Sequence, residues 1–146
     1  MCSSDLAGEA AEQFEEAFRL DPALPEVHRG LGEVALQKGD VGTAEREFRI
    51  AASSSPPSAR AANFLGYLLT RQGKYAEAAD QYEKALALDP GLADAHRSLG
   101  LLYAERIGNR ERAIAHLKAS LRMDSAQPQA PELQKLLLRL ESGSGE

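Results

Sequence analysis

Cysteine is almost missing from this chain. The only one is Cys2, so no intrachain disulfide can form and no multi-cysteine metal site exists. No stretch approaches the roughly 18 consecutive apolar residues that a membrane-spanning helix needs, and no secretory signal peptide is recognisable. Positive charge is scarce as well: 17 Lys and Arg stand against 22 Asp and Glu, a net charge of −5. A general nucleic-acid or membrane-surface role therefore has no electrostatic support. The deficit is uneven. Up to Ser58 there are five basic residues against eleven acidic ones, giving −6, and the remainder has twelve against eleven, giving +1. Nucleophile-elbow, phosphate-cradling and metalloprotease motifs do not occur. His28, His96 and His116 have no second His or Cys at ligand spacing on their own helices, so packing or surface roles are expected, without metal, cofactor or catalysis.

What the chain has is a repeat. Leu31-Gly32, Ala44, Phe48, Ala51 and Pro56 return 34 positions later as Leu65-Gly66, Ala78, Tyr82, Ala85 and Pro90, and Leu99-Gly100 opens a third copy. Such a period, with small residues at fixed places and an aromatic between them, marks a stacked array of helical hairpins. The first copy is 25–58: a helix over Glu26–Lys38 with Pro25 where a missing N–H is harmless, a break at Gly39-Asp40, and a second helix over Val41–Ser54 that Asp40 can cap. The second copy is 59–92, with its turn at Gln72-Gly73. The third is 93–127; it carries Tyr103 in register, then slips by one residue, which is assigned to the hairpin turn at Ile107-Gly108-Asn109 so that Ala113 follows Ala78 by 35. Pro128 is expected to take over the stop that Ser125 cannot supply.

The ends are read differently. Residues 1–6 resemble one reading frame of a sequencing-library adaptor and are expected to be a non-native start, with the native sequence resuming near Ala7. Segment 7–24, with Ala10, Phe14 and Ala17 in register, is the second helix of a truncated repeat. Segment 128–141 places Leu133, Leu136, Leu137 and Leu140 on one face and is expected to be a capping helix. The last stretch, 142–146, is expected to be a disordered tail.

Two antiparallel helices cross closely only where one presents Gly or Ala to the other's backbone. Gly32 with Ala44, Gly66 with Ala78 and Gly100 with Ala113 supply that pair three times, while Phe48, Tyr82 and Leu117 fill the space between one hairpin and the next. These residues closely resemble the tetratricopeptide repeat, from about Ala7 to Leu140. The resemblance implies an all-α, right-handed superhelical α-solenoid. It departs from the pattern where His28, Ala62 and His96 occupy a large apolar position, where Ala35 and Leu69 replace Tyr, and where the third proline is missing.

The same resemblance implies where a partner would lie. First helices line the concave side, which places Glu26, Arg29, Glu33, Leu36 and Gln37, then Arg60, Asn63, Tyr67, Thr70 and Arg71, then Asp94, Arg97, Leu101, Ala104 and Glu105 along a groove. The set that grips chaperone C-terminal carboxylates is not reproduced, since Glu33 and Asp94 put like charge there. The expected function is a non-catalytic scaffold or adaptor presenting this groove to a protein or peptide. The alternatives are the repeat region of a larger glycosyltransferase- or sulfotransferase-type enzyme, or of an envelope-assembly lipoprotein, and self-association through the uncovered first helix. Localisation is left open between cytoplasm and periplasm.

Overall fold

The computed structural model describes residues 3–143. Its elements are α1 (Ser3–Leu20), α2 (Pro25–Gln37), α3 (Val41–Ser53), α4 (Ala59–Arg71), α5 (Tyr75–Leu88), α6 (Ala93–Leu102) continued by a π turn (Tyr103–Ile107), α7 (Arg110–Met123) and α8 (Ala130–Ser142). Helices α2 with α3, α4 with α5, and α6 with α7 form the three most extensive contacts, and each pair packs on the next. The array is an α-solenoid, with no strand among the described residues.

Local chemistry sets the boundaries. Pro25 occupies the first turn of α2. Asp40 accepts from the Thr43 N–H at 3.0 Å, Ser58 Oγ from Ala61 N–H at 3.2 Å, and Asn109 Oδ1 from Arg112 N–H at 3.1 Å, so α3, α4 and α7 each begin on a side-chain cap. The Thr43 hydrogen bonds hold the Asp40 carboxyl below the usual carboxylate range. Gly39, Gly73 and Gly108 turn the three hairpins at φ of +78°, +78° and +82°, a backbone that only glycine adopts without strain. Space is open around Gly73. Gly73→Ala is therefore expected to lower stability by about 1–2 kcal/mol through the backbone alone, measured as a shift in the denaturant midpoint with unchanged slope.

One buried core runs through all the hairpins. Ala44, Phe48, Ala51, Ala78, Ala85, Ala113, Leu117 and Ser120 are fully buried, and Tyr82 nearly so. The glycines make room first for side chains, and at Gly100 for the expected backbone approach as well, where a Cβ would also lie 3.1 Å from Leu117 N. A Cβ on Gly32 would lie 2.6 Å from the Phe48 ring, one on Gly66 2.9 Å from the Tyr82 ring, and one on Gly100 2.8 Å from the Leu117 side chain. Each glycine makes room for the large residue of its own hairpin. That residue then reaches the next one: the Phe48 ring stacks on Phe64 with centroids 4.9 Å apart, and the Tyr82 hydroxyl bonds Ser98 of the next hairpin as well as Thr70 of its own. At the first junction Gly30 takes the place of Phe64, and a Cβ there would collide with the Phe14 ring.

Three expectations need correction. Helix α1 starts at Ser3 instead of Ala7, because no glycine or proline separates the two; residues 1–2 lie outside the description. Ser142 belongs to α8, which Gly143 ends at φ +73°, and of the expected tail 144–146 lies outside the description. The extra residue of the third copy sits in the first helix of the hairpin, not in its turn. Asp40 N–H and Lys74 N–H close on Ala35 and Leu69, five residues back, whereas Asn109 N–H closes on Tyr103, six back. The π turn absorbs the insertion before Gly108 is reached, and the register of α7 is kept.

Helix α7 ends at Met123, five residues before Pro128. The buried Gln127 amide donates to Ser120 O at 3.3 Å, Ser120 Oγ at 3.1 Å and Asp124 O at 2.7 Å, and accepts from Arg97 Nη1 at 2.9 Å. It supplies a donor to Asp124 O, adds to the one Ser120 O has in the Asp124 N–H, and clamps the α7–α8 connection onto α6.

Candidate functional site

The first helices α2 and α4 leave two cavities that meet at Leu36. One, about 370 Å³, is lined by Glu33, Leu36, Gln37 and Phe64. The other, about 460 Å³, is lined by Leu36, Val41, Tyr67, Leu68, Arg71 and Gln72. Their floor is apolar because Leu36, Phe64 and Leu68 also belong to the core or pack on it. Their walls are polar and ordered. Arg71 Nη1 donates to the Tyr67 hydroxyl at 3.0 Å and its guanidinium lies 5.7 Å from that ring's centroid, so the pair forms one flat, hydrogen-bonding surface. Gln72 Nε2 donates to Glu45 Oε2 at 2.8 Å. That bond, with a second from Arg49, holds the Glu45 carboxyl below its usual range and fixes the rim as an anion.

Of the residues placed in the groove by sequence, Glu33, Leu36, Gln37, Tyr67 and Arg71 line these cavities, Leu36 both of them. The others are dispersed. Arg29 is ion-paired with Glu33 on its own helix, and Thr70 turns inward to Gly66 O and the Tyr82 hydroxyl. Arg97 is engaged by Asp94 and Gln127 and so acts in the α7–α8 clamp. Arg60 is exposed and Asn63 half-buried at the start of α4, Leu101 is half-buried on α6, and Glu105 is exposed on the π turn. Phe64, Leu68 and Val41 were missed, since apolar residues beside a core read as core.

A larger cavity, about 700 Å³, lies elsewhere, lined by Glu12, Glu15, Glu16, Phe18 and Arg19 of α1, Leu31 of α2 and Glu47 of α3. Its Glu47 is committed to the interior: His28 Nδ1 lies 2.7 Å from Glu47 Oε2, and His28 Nε2 lies 2.9 Å from Pro22 O. Among the described residues no group of three or more His, Cys, Asp or Glu could hold a metal ion, and no helix is long and apolar enough to cross a membrane.

An α-solenoid of paired helices with a groove between successive first helices defines a class of repeat proteins that work through surface contact. Two family profiles agree on which: "Tetratricopeptide repeat" matches residues 7–59 and "TPR repeat" residues 66–106. The chain belongs to the tetratricopeptide repeat family. It is 38% identical over 109 residues to the TPR repeat-containing protein PA4299 of Pseudomonas aeruginosa, covering 74% of this chain and 43% of that protein. The chain thus spans less than half the length of that relative. Among solved structures it is similar to PilW, a widely conserved type IV pilus biogenesis factor, with 31% identity and a TM-score of 0.71 over 95% of this chain and 63% of that one. It is also similar to YrrB, a TPR protein with an unusual peptide-binding site, with 26% identity and a TM-score of 0.70 over 90% of this chain and 68% of that one.

Proposed function

We propose that this chain is a non-catalytic protein-interaction module that holds a peptide or helix of a partner in the α2–α4 groove. The observation that carries the reading is the pair of cavities meeting at Leu36, with an apolar floor and the Tyr67–Arg71 surface on one wall. Tyr and Arg are over-represented among the residues that dominate interface energetics, because each offers flat contact area with a hydrogen-bonding end. The chemistry favours a segment that places apolar side chains in the two cavities and a carboxylate or hydrogen-bond acceptor beside Arg71. Glu33 and Glu45 disfavour a second acidic group there. PilW and YrrB, named for pilus biogenesis and peptide binding, are in keeping with a role in assembly or peptide capture.

The test is selection of peptides from a displayed library against the chain, followed by titration of the best binder. Tyr67→Ala and Arg71→Ala are expected to weaken binding by about 1 kcal/mol or more each, with melting temperatures close to the parent's because both side chains are exposed. Unchanged affinity in both variants would remove the groove from consideration.

A further inference from the structure

The three hairpins share one internal position where the first helix faces the second, and each fills it differently. In the first hairpin His28 Nδ1 faces Glu47 and Nε2 faces Pro22 O, both acceptors only, so an added proton on that ring gains a hydrogen bond and meets an anion. In the second, Ala62 and Gln81 hold the corresponding positions and carry no charge. In the third, two histidines meet: His96 Nδ1 lies 3.0 Å from His116 Nδ1, with ring centroids 5.3 Å apart.

The protons on this pair are constrained. His96 Nε2 lies 3.1 Å from Pro90 O, which only accepts, so Nε2 carries a hydrogen. In the neutral pair, His96 Nδ1 is therefore the acceptor and His116 Nδ1–H the donor. One added proton leaves a single N–H between the rings, and the bond survives as imidazole with imidazolium. A second puts a hydrogen on both facing nitrogens, which removes the acceptor and sets two cations against each other.

The surroundings supply little relief. Tyr103 of the π turn stacks on His116 at 5.9 Å and 20°. Glu83 of α5, the nearby carboxylate, already accepts from the Tyr103 hydroxyl and from Arg112 Nη1 at 2.8 Å. Arg112 of α7 is itself a cation close to His116. We propose that the His96–His116 contact makes the third hairpin an acid-sensitive joint, closed while at least one ring is neutral and opened when both are protonated.

The direction of titration agrees. Burial, and next the charge of His96, push His116 below its ordinary value of 6.5, with Arg112 acting the same way and Glu83 opposing. A histidine held neutral in the closed state binds its proton only on opening. Stability is then complete above about pH 6.5 and falls as pH drops below it, levelling off once His116 also protonates in the closed state.

The test is hydrogen exchange of the full chain, read by mass spectrometry near pH 7.5 and near pH 5.5 on either side of the ordinary histidine range and corrected for the intrinsic rate. Opening of peptides from Ala93–Met123, relative to Tyr75–Leu88, is expected to rise toward acid by up to about tenfold per pH unit, the limit for one proton. In His116→Gln, which carries the residue found at position 81, the rise should vanish. No rise in the parent, or an equal rise in the variant, overturns the proposal. If His116→Gln does not fold, proton NMR titration of the parent decides: His116 titrating below His96 supports the joint, and two independent titrations near the ordinary value refute it.

Discussion

Gly32→Ala is expected to destabilise the chain, and to stop doing so once Phe48 is cut to alanine. Phe48 is fully buried, and its ring fills the space in which a Cβ on Gly32 would fall at 2.6 Å. Phe48→Ala alone should cost about 3–5 kcal/mol, the range for losing a buried aromatic and leaving a cavity. Gly32→Ala alone should cost about 1–3 kcal/mol by overpacking, outweighing the gain of up to about 1 kcal/mol that alanine brings to a helix interior. In the double variant the ring is absent and that gain remains. The second substitution should then be neutral or stabilising, a reversal that a double-mutant cycle of denaturant unfolding reads directly. Equal cost of Gly32→Ala in both backgrounds would show that the glycine is there for another reason.

Gln127→Leu should be the next most damaging change. The variant keeps a side chain of similar bulk but strips Asp124 O of its Gln127 donor and Arg97 of one acceptor, in a place where Gln127 itself is 5% exposed; Ser120 O keeps the Asp124 N–H and Arg97 keeps Asp94. Losing the donor to Asp124 O and the Arg97 contact together should cost about 1–3 kcal/mol. The loss should be local before it is global. Amide exchange in α8 is expected to accelerate first, since the clamp is what ties the α7–α8 connection to α6; uniform loss across all hairpins would place the role of Gln127 elsewhere.

The repeat architecture was legible because it rests on residues that recur. Gly32, Gly66 and Gly100, with Phe48, Tyr82 and Leu117, are visible in the period, and the structure buries them all. What they do was less legible: sequence spacing shows that a glycine faces the second helix, but not that Gly32 and Gly66 face a ring while Gly100 faces both the side chain and the backbone N of Leu117. Single occurrences escaped. Gly30 is aligned with Phe64 and Ser98, so no recurrence marks it, yet it alone admits Phe14. Gln127 closes the third copy where Ser58 and Leu92 close the others, so no recurrence marks it either. The π turn was visible only as a slip of one, and the choice between helix and turn depends on which carbonyl Asn109 bonds.

The polar sites show the same limit. The fifteen groove positions carried over from the family's pattern reduce to five that line the α2–α4 cavities, because Glu33 holds Arg29, Asp94 and Gln127 hold Arg97, and Tyr82 holds Thr70. The His96–His116 contact could have been found by treating the two helices of a hairpin as facing columns, in which positions 28 with 47 and 96 with 116 correspond. Looking along each helix separately hid it.

The central claim is that the α2–α4 groove is where a partner binds, and the most direct measurement is an NMR map of a selected peptide on the isotope-labelled chain. Perturbed signals are expected to cluster on Leu36, Phe64, Tyr67, Leu68 and Arg71, with intermolecular contacts from apolar peptide side chains to the Leu36 methyl groups. A cluster instead on Phe18, Leu31 and Glu47 would move the binding surface to the larger α1–α3 cavity and contradict the account.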